Sequence, residues 1–503
     1  MFTTESAILF IIVTTLAVSY GWGMRGTLCG GEQGALLPGA FLGFCVALFS
    51  PSPVIAQNIA LFTAIGACGM FCGGDMTYGE TLSFCLYRGE EKPPAYKKGM
   101  IAVFIKGGLW FSVAAGFLGI GTGVLRGTYS WQSILVLMIT MPIIMLIGKW
   151  FFNMPINAKE NKFPAIYFSK TREESWGANL LMLVEMLVFM LVFNDTYSIK
   201  MALFGFIGGS FGWMTALSGF SLTSKTFKNG KHFFGKLNEN GFIGGWKLME
   251  CVLGAVGGLA IAIGAVVCSG DIKDLTVQAP TIAEQKPELF GILIWVMIAG
   301  LLIDQSQHLF RKRPSKSYKE DLENGLISQK EADRCKALLK NEKYGAALEK
   351  YSMFYDELSE RPFYFYIPMI LCLLGSVQAA NIISVFMLFI VAAERLVADR
   401  FTNVRNTKIT LGIFWAIVSL AILIVGMFVL PDGYSPLAIW LFLCIEYEFF
   451  QLTNNFRPSA VVRRIKKIGS FQKYFRSLGS MLTMHIYYFI VLAFLIYTGF
   501  ILI

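Results

Sequence analysis

Residues 53–87 read PVIAQNIALFTAIGACGMFCGGDMTYGETLSFCLY, and Asp75 and Glu80 are the only charged side chains in these 35 residues. As one helix the stretch would extend about 52 Å at 1.5 Å per residue, against a bilayer hydrocarbon core about 30 Å thick. One straight span does not fit. Gly73-Gly74 is the natural break, which predicts a span followed by a half-helix or a re-entrant segment. Backbone that leaves the helix at membrane depth must be buried in protein or line a wet cavity. Asp75 and Glu80 would lie at that break, with hydroxyls from Thr77, Tyr78 and Thr81 close by in sequence.

The same pattern occurs once earlier. Residues 21–38, GWGMRGTLCGGEQGALLP, repeat the order Gly-Met, then Cys-Gly-Gly-acid, found at 69–75. Glu32 answers Asp75, and Arg25 is a charge partner in reach of Glu32. Broken or re-entrant segments are therefore expected near 23–34 and 69–80. A second element, Gly-Phe-Ile-Gly-Gly, stands at 205–209 and again at 241–245. Repeats with interrupted helices are a habit of transporters. The competing reading of such glycines is close helix packing through small residues, with the acids at the membrane interface.

Outward from these stretches the class of protein is plain. Of 503 residues, 55% are hydrophobic and only 15% charged, with 44 Phe and 22 Met; a soluble domain carries about a quarter charged. Mean hydropathy is +0.58. Apolar runs of about 20 residues recur from end to end, the mark of transmembrane helices, and the alternating ten-residue segments of a β-barrel do not occur. The chain reads as an all-α, polytopic integral membrane protein. About fourteen spans are expected, near 4–23, 34–50, 53–73, 99–125, 131–152, 176–194, 198–218, 242–268, 288–309, 363–379, 381–398, 408–430, 436–453 and 479–502.

Charge supports that count. The loops 86–98, 153–175, 219–241 and 454–478 carry the Lys and Arg residues, whereas 50–53, 194–198 and 431–436 carry none. This alternation is the positive-inside pattern, so the basic loops are expected in the cytoplasm of an inner-membrane protein, with both termini outside. The net charge of +10 is thereby explained by orientation, and no nucleic-acid partner is implied. The N-terminal MFTTESAILF lacks a basic n-region and reads as a retained first span. Residues 310–362 form a hydrophilic insertion with a capping-box start at Ser328–Glu331. It would be a cytoplasmic helical insertion between an N-terminal membrane bundle, 1–309, and a C-terminal one, 363–503.

Further ionisable residues interrupt apolar runs. Glu185, in LLMLVEMLVFM, sits mid-span, where a lone charge costs at least ~2.5 kcal/mol on insertion scales; Lys106, in VFIKGGLW, is the partner the sequence offers. Lys247 and Glu250 are three apart and share a helix face. With Arg25, Glu32, Asp75 and Glu80 these residues make up the expected substrate- or ion-binding set. Asp304 and His308 are spaced i, i+4 and are the best acid–base pair if the chain is an enzyme. Glu394, Arg395, Asp399, Glu446 and Glu448 read as structural pairs at span ends, and His485 as a packing residue. The ten cysteines lie mostly in apolar runs as free thiols, Cys68 and Cys72 lacking the nearby His a metal site would want. No metal or organic cofactor is expected.

There is no GxxxxGK[ST], no HExxH and no GxSxG, which argues against nucleotide hydrolysis, intramembrane metalloproteolysis and hydrolase chemistry. Three readings stay open. The first is a secondary active transporter for a small polar solute, anions included, coupled to H+ or Na+ through membrane carboxylates. The second is a membrane-embedded transferase using a cytoplasmic or lipid-linked donor. The third is a non-catalytic membrane scaffold.

Overall fold

The computed structural model describes residues 2–28, 31–74, 76, 78, 81–82, 96–153, 168, 174–223 and 245–310. Beyond these it describes 318–323, 328–330, 332–333, 336, 365–375, 380–385, 387, 434–455 and 471–502, with isolated positions between 417 and 429. Side-chain statements exclude 26–28, 31–32, 221–223, 301, 304–310 and much of 443–484. Among the described residues there is helix and no strand.

The helices, in chain order, are α1 Thr4–Leu28, α2 Gly31–Leu48, α3 Pro53–Gln57, α4 Ile59–Gly73, α5 Tyr96–Leu125, α6 Trp131–Asn153, α7 Trp176–Val192, α8 Thr196–Thr223 and α9 Gly245–Val267. A 3-10 turn, Cys268–Asp271, and the short α10, Ile282–Gln285, lead into α11, Pro287–Phe310. Then come α12 Tyr318–Glu323, α13 Ile367–Leu374, α14 Ser435–Asn455 and α15 Phe471–Tyr497. Five of these helices are long and apolar enough to cross a membrane, within α1, α5, α6, α8 and α9, and shorter apolar helices lie in α2, α4, α7, α11 and α15. This is a helical protein with the make-up of an integral membrane protein.

The outer surface agrees. On α6, Val136, Ile139, Ile143, Ile147 and Trp150 are all exposed, Val136 at 61% and Trp150 at 65%. Their spacing of three or four residues puts them on one stripe. A continuous apolar stripe of this kind suits lipid contact and is a liability in water.

Neighbouring helices cross antiparallel at glycines. In α2 and α4, Gly39 and Gly66 face each other's backbone, and a side chain on Gly43 would run into the Phe62 carbonyl. Gly107 of α5 and Gly209 of α8 face each other in the same way, flanked by Ser112 Oγ donating to Ala202 O at 2.8 Å and Ser210 Oγ donating to Phe104 O at 2.9 Å. Gly254 and Gly258 of α9 lie on Val18 and Thr14 of α1, and Gly148 of α6 on Gly177 of α7. Such contacts let helix backbones approach closely where lipid removes the hydrophobic drive for association. Helices from beyond the insertion join the same body: α13 packs on α4 and α6, α14 on α4, and α15 on α1.

One boundary differs from the sequence reading and one agrees with it. The first helix does not end at residue 23; α1 continues to Leu28, so Arg25 is helical. Only 29–30 separate it from α2. At the second place α4 ends at Gly73, with the Gly74 N–H donating back to Phe71 O at 2.9 Å. Asp75, Thr77, Gly79 and Glu80 lie outside the described residues, as do Glu394, Arg395 and Asp399.

The crossings predict opposite outcomes for two glycines. Gly43→Leu puts side-chain atoms into the Phe62 carbonyl, an overpacking that costs about 1–3 kcal/mol or more, and the purified protein should lose its monodisperse peak or melt earlier. Gly219→Ala, in α8, meets nothing within 4 Å and should raise the melting midpoint slightly, because glycine weakens a helix interior by up to about 1 kcal/mol relative to alanine.

Candidate functional site

The centre of the molecule holds a buried guanidinium in an aromatic cage. Arg25 is fully buried. Its guanidinium carbon lies 4.8 Å from the Tyr78 ring centroid and 5.3 Å from each of the Trp22 and Trp110 rings, and Nη1 donates to the Tyr78 hydroxyl. Trp22 and Arg25 share a face of α1 because they are three apart. The cage is closed by more rings: Trp22 meets Trp110 edge-on at 4.9 Å, and Trp213 of α8 stacks on Trp110 at 6.4 Å and lies on Tyr78 at 5.2 Å. Taking a charge from water into protein costs several kcal/mol. Cation–π contacts contribute about 2 kcal/mol when desolvated, so three rings are of the size needed to hold it.

Glycine and proline shape the walls. Gly73 lies so close to the Trp110 indole that no side chain fits there, and Gly34 lies on the Arg25 stem. Pro38, inside α2, has no N–H for the carbonyl of Gly34 four residues earlier. Trp110 Nε1 donates to Met70 O at 2.6 Å, which fixes the indole against the end of α4.

Two ion pairs flank the cage. From α9, Lys247 Nζ donates to Gly23 O at 2.6 Å and lies 3.7 Å from Glu250; Glu250, almost fully buried, is within electrostatic reach of Arg25 as well. From α5, Lys106, one helical turn before Trp110, reaches Glu174 at 2.6 Å and Thr81 Oγ1 at 2.8 Å, with the Phe168 ring 5.7 Å away. Glu174 also accepts the Phe168 backbone N–H at 3.2 Å. Lys106 and Glu174 are both buried.

Depth follows from helix rise. The pairs Gly73 with Trp110, Gly69 with Ala114 and Gly121 with Ile65 show that α4 runs antiparallel to the second half of α5 only. Where α4 stops, Tyr78 and Thr81 cover α5 from Trp110 to Lys106. Counting 1.5 Å per residue from Trp22, Trp110 and Trp213 to the far ends of α1, α5 and α8 puts the cage about 22–27 Å from those ends.

At that far end lies a separate polar knot. Asp195 caps α8 by accepting the Ser198 N–H at 3.2 Å, and it also receives Arg126 at 2.7 Å, Tyr129 at 2.7 Å and Ser198 Oγ at 2.5 Å. Beside it Lys200 pairs with Asp271 at 2.8 Å. A cavity of about 300 Å³, lined by Tyr129, Trp131, Gln132 and Gln285 among others, opens next to this knot.

Of the residues singled out by sequence, Arg25, Lys247 and Glu250 come together, and Lys106 adjoins them on the same α5 face as Trp110. Glu32, Asp75 and Glu80 lie outside the described side chains, as do those of Asp304 and His308, although α11 extends through both positions. The pairing of Lys106 with Glu185 is corrected. Lys106 meets Glu174, just before α7, whereas Glu185 lies about 13 Å further along that helix than Trp176 and bonds Thr140 of α6. His485 is also corrected: it is paired with the buried Glu448. Cys68 lies beside Cys372, and Cys72 Sγ is 3.9 Å from Asn179 Oδ1.

Sequence reasoning missed Glu174, Tyr78's place against Arg25, and the three tryptophans. Trp22 and Arg25 at i, i+3 and Lys106 and Trp110 at i, i+4 were the signals available. Asp195 was missed too, although Asp followed by Thr-Tyr-Ser is an N-cap pattern.

The buried pair Lys106–Glu174 allows a direct test. Lys106→Met or Glu174→Gln alone leaves a buried charge without its counter-charge and should cost about 3–5 kcal/mol, seen as a large fall in melting midpoint. The double variant Lys106→Met/Glu174→Gln should recover much of that loss; simple addition of the two losses would show that the groups are not coupled. No family model, no curated protein and no solved structure matches this chain.

Proposed function

We propose that this chain is a multi-pass membrane carrier of about fourteen spans that moves a small polar, anionic solute, coupled to H+ or Na+, and that Arg25 binds the solute's negative charge. The observation that carries this reading is the fully buried Arg25 guanidinium held among Trp22, Tyr78 and Trp110. Arginine presents a planar fork of donors suited to carboxylate or phosphate, and stacking on rings holds that fork in one orientation. Ionisable residues kept at membrane depth are costly, and in transporters they mark substrate and ion paths.

Three features support the reading. The cage lies where α4 ends against the middle of α5; the negative end of a helix favours a cation or proton, so this terminus supports a coupling ion beside the solute and leaves the anion to Arg25. Glu250 and Lys247 stand next to Arg25, so a carboxylate and an ammonium can exchange partners as an anion arrives and leaves. The helix ends bearing Arg126 and Asp195 are about 22–27 Å away, most of a 30 Å hydrocarbon core. With the basic loops in the cytoplasm and both termini outside, the cage belongs to the inner half of the membrane. Helices on both sides of the insertion 310–362 contribute to the body around it, as two moving parts of a carrier would. Glu32, Asp75 and Glu80 are proposed to complete the polar path on the cytoplasmic side.

The test is uptake or counterflow in proteoliposomes with a panel of small carboxylates, phosphates and neutral polar solutes. Anions should be taken up and neutral analogues should not. Arg25→Lys keeps the charge but loses the fork and the stacking, and should lower uptake tenfold or more. Asp75→Asn and Glu32→Gln should weaken the dependence on an H+ or Na+ gradient. Transport that is indifferent to Arg25→Lys, or absent for every anion offered to a well-folded protein, would overturn the proposal.

A further inference from the structure

The helices α1, α9, α14 and α15 enclose a second buried polar cluster, apart from the Arg25 cage. Glu448 of α14, fully buried, pairs with Nδ1 of His485 on α15. Tyr20 of α1 and Tyr488 of α15 meet edge-on at 5.4 Å, both at most 3% exposed. Glu448 Oε1 and the hydroxyls of Tyr20 and Tyr488 find no hydrogen-bond partner of proper geometry among the described residues. Tyr20 lies beside the Cys444 thiol and Tyr488 beside the Cys251 thiol, but sulfur is a weak partner. A buried polar group left without a partner costs about 1–3 kcal/mol, and here one belongs to the ion pair and two more lie near it.

We propose that Glu448 and His485 form a proton-binding dyad, with the Tyr20 and Tyr488 hydroxyls as the polar path by which its proton enters and leaves, and that this proton is a coupling ion of the carrier in addition to any held at Glu32 or Asp75. The role in coupling rests on the carrier reading; the binding of the proton does not. With one proton the dyad is imidazolium and carboxylate, or imidazole and carboxylic acid, and is net neutral either way. Losing that proton leaves imidazole and carboxylate with one negative charge. Only N–H and O–H bonds are made or broken, and the proton passes to water or a hydroxyl of the path. Glu250 provides the link to the cage, since Tyr488 is within electrostatic reach of both Glu250 and Glu448.

A metal cation is the poorer occupant. α14 and α15 are continuous helices at Glu448 and His485, so their carbonyls are committed to helical bonds, whereas Na+ sites in carriers draw on unwound carbonyls. The titratable and charged groups facing the dyad are few among the described residues. Tyr20 on α1, Cys444 on α14 and Tyr488 on α15 are within electrostatic reach of Glu448; behind Tyr488 stand Glu250 and Cys251 on α9, with Lys247 beside Glu250 and Tyr487 beside Cys251. On α4, which packs on α14, the titratable groups are Cys68 and Cys72.

Histidine makes the test direct, because the chain has only three, His232, His308 and His485. Full-length protein with ring-15N histidine, in lipid nanodiscs, gives three sets of signals, and His485→Gln identifies the one of interest. That signal should pass between imidazole and imidazolium as the pH is varied. A neighbouring carboxylate favours imidazolium, so Glu448→Gln, which removes that carboxylate, should weaken proton binding at His485 about tenfold or more. Tyr488→Phe, which keeps the ring, should also change that binding and serves where Glu448→Gln does not fold. A His485 signal fixed in one protonation state throughout, a titration unchanged by both variants, or a signal that responds to Na+ at constant pH and not to pH would overturn the proposal. No solute enters this measurement. A His485 that titrates in a chain that transports nothing removes the carrier and leaves the proton site. Transport abolished by Arg25→Lys with a silent His485 does the reverse.

Discussion

Close approach of helix backbones is the constraint on which this structure depends. In lipid an apolar side chain gains little by leaving one apolar neighbour for another, so helices associate through packing and hydrogen bonds. Here the packing runs through glycine. Gly39 and Gly66 join α2 to α4, Gly107 and Gly209 join α5 to α8, and Gly254 and Gly258 seat α9 on α1. These crossings also set the relative depth of the helices they join. Because Gly69 lies on Ala114 and Gly73 on Trp110, α4 stops at the middle of α5 and leaves room for Tyr78 and Thr81 to cover the rest. The cage around Arg25 is a consequence of that offset.

Charge burial is the second theme, and the chain handles it in two ways. Lys106 with Glu174, and Lys247 with Glu250, are counter-charged pairs from different positions on the bundle. Arg25 is set among ring faces, whose quadrupoles attract a cation without themselves carrying a net charge. Rings stack on the flat faces of a guanidinium, whereas its N–H donors point outward in the plane, where the oxygens of an anion meet them. At the other end of the bundle Asp195 gathers Arg126, Tyr129 and Ser198 around a helix N-terminus. Both oxygens of that carboxylate accept hydrogen bonds, so the arrangement reads as an anchor for the ends of α5 and α8.

Sequence alone pointed to the helical membrane character through the length and composition of the apolar runs, and five described helices are long and apolar enough to cross a membrane. It also marked Arg25, Lys247 and Glu250, because an ionisable residue in such a run must find a partner, and a three-residue spacing fixes which side chains share a helix face. The glycine pair at 73–74 signalled that a helix would stop there, and α4 ends at Gly73.

What sequence could not supply was partner identity across the bundle. Lys106 and Glu185 are both charged residues in apolar runs, and nothing in either run says that Lys106 stands level with Glu174 instead; that depends on how far α5 and α7 slide past each other. His485 looked solitary for the same reason, its partner Glu448 lying on another helix 37 residues earlier. The aromatic cage was equally hidden, because tryptophans are ordinary in membrane helices and only the crossing of α1, α5 and α8 brings Trp22 and Trp110 onto one guanidinium with Trp213 packed behind Trp110. Local spacing is written along the chain; the register between helices is set by which glycines meet, and that is a property of the assembled bundle.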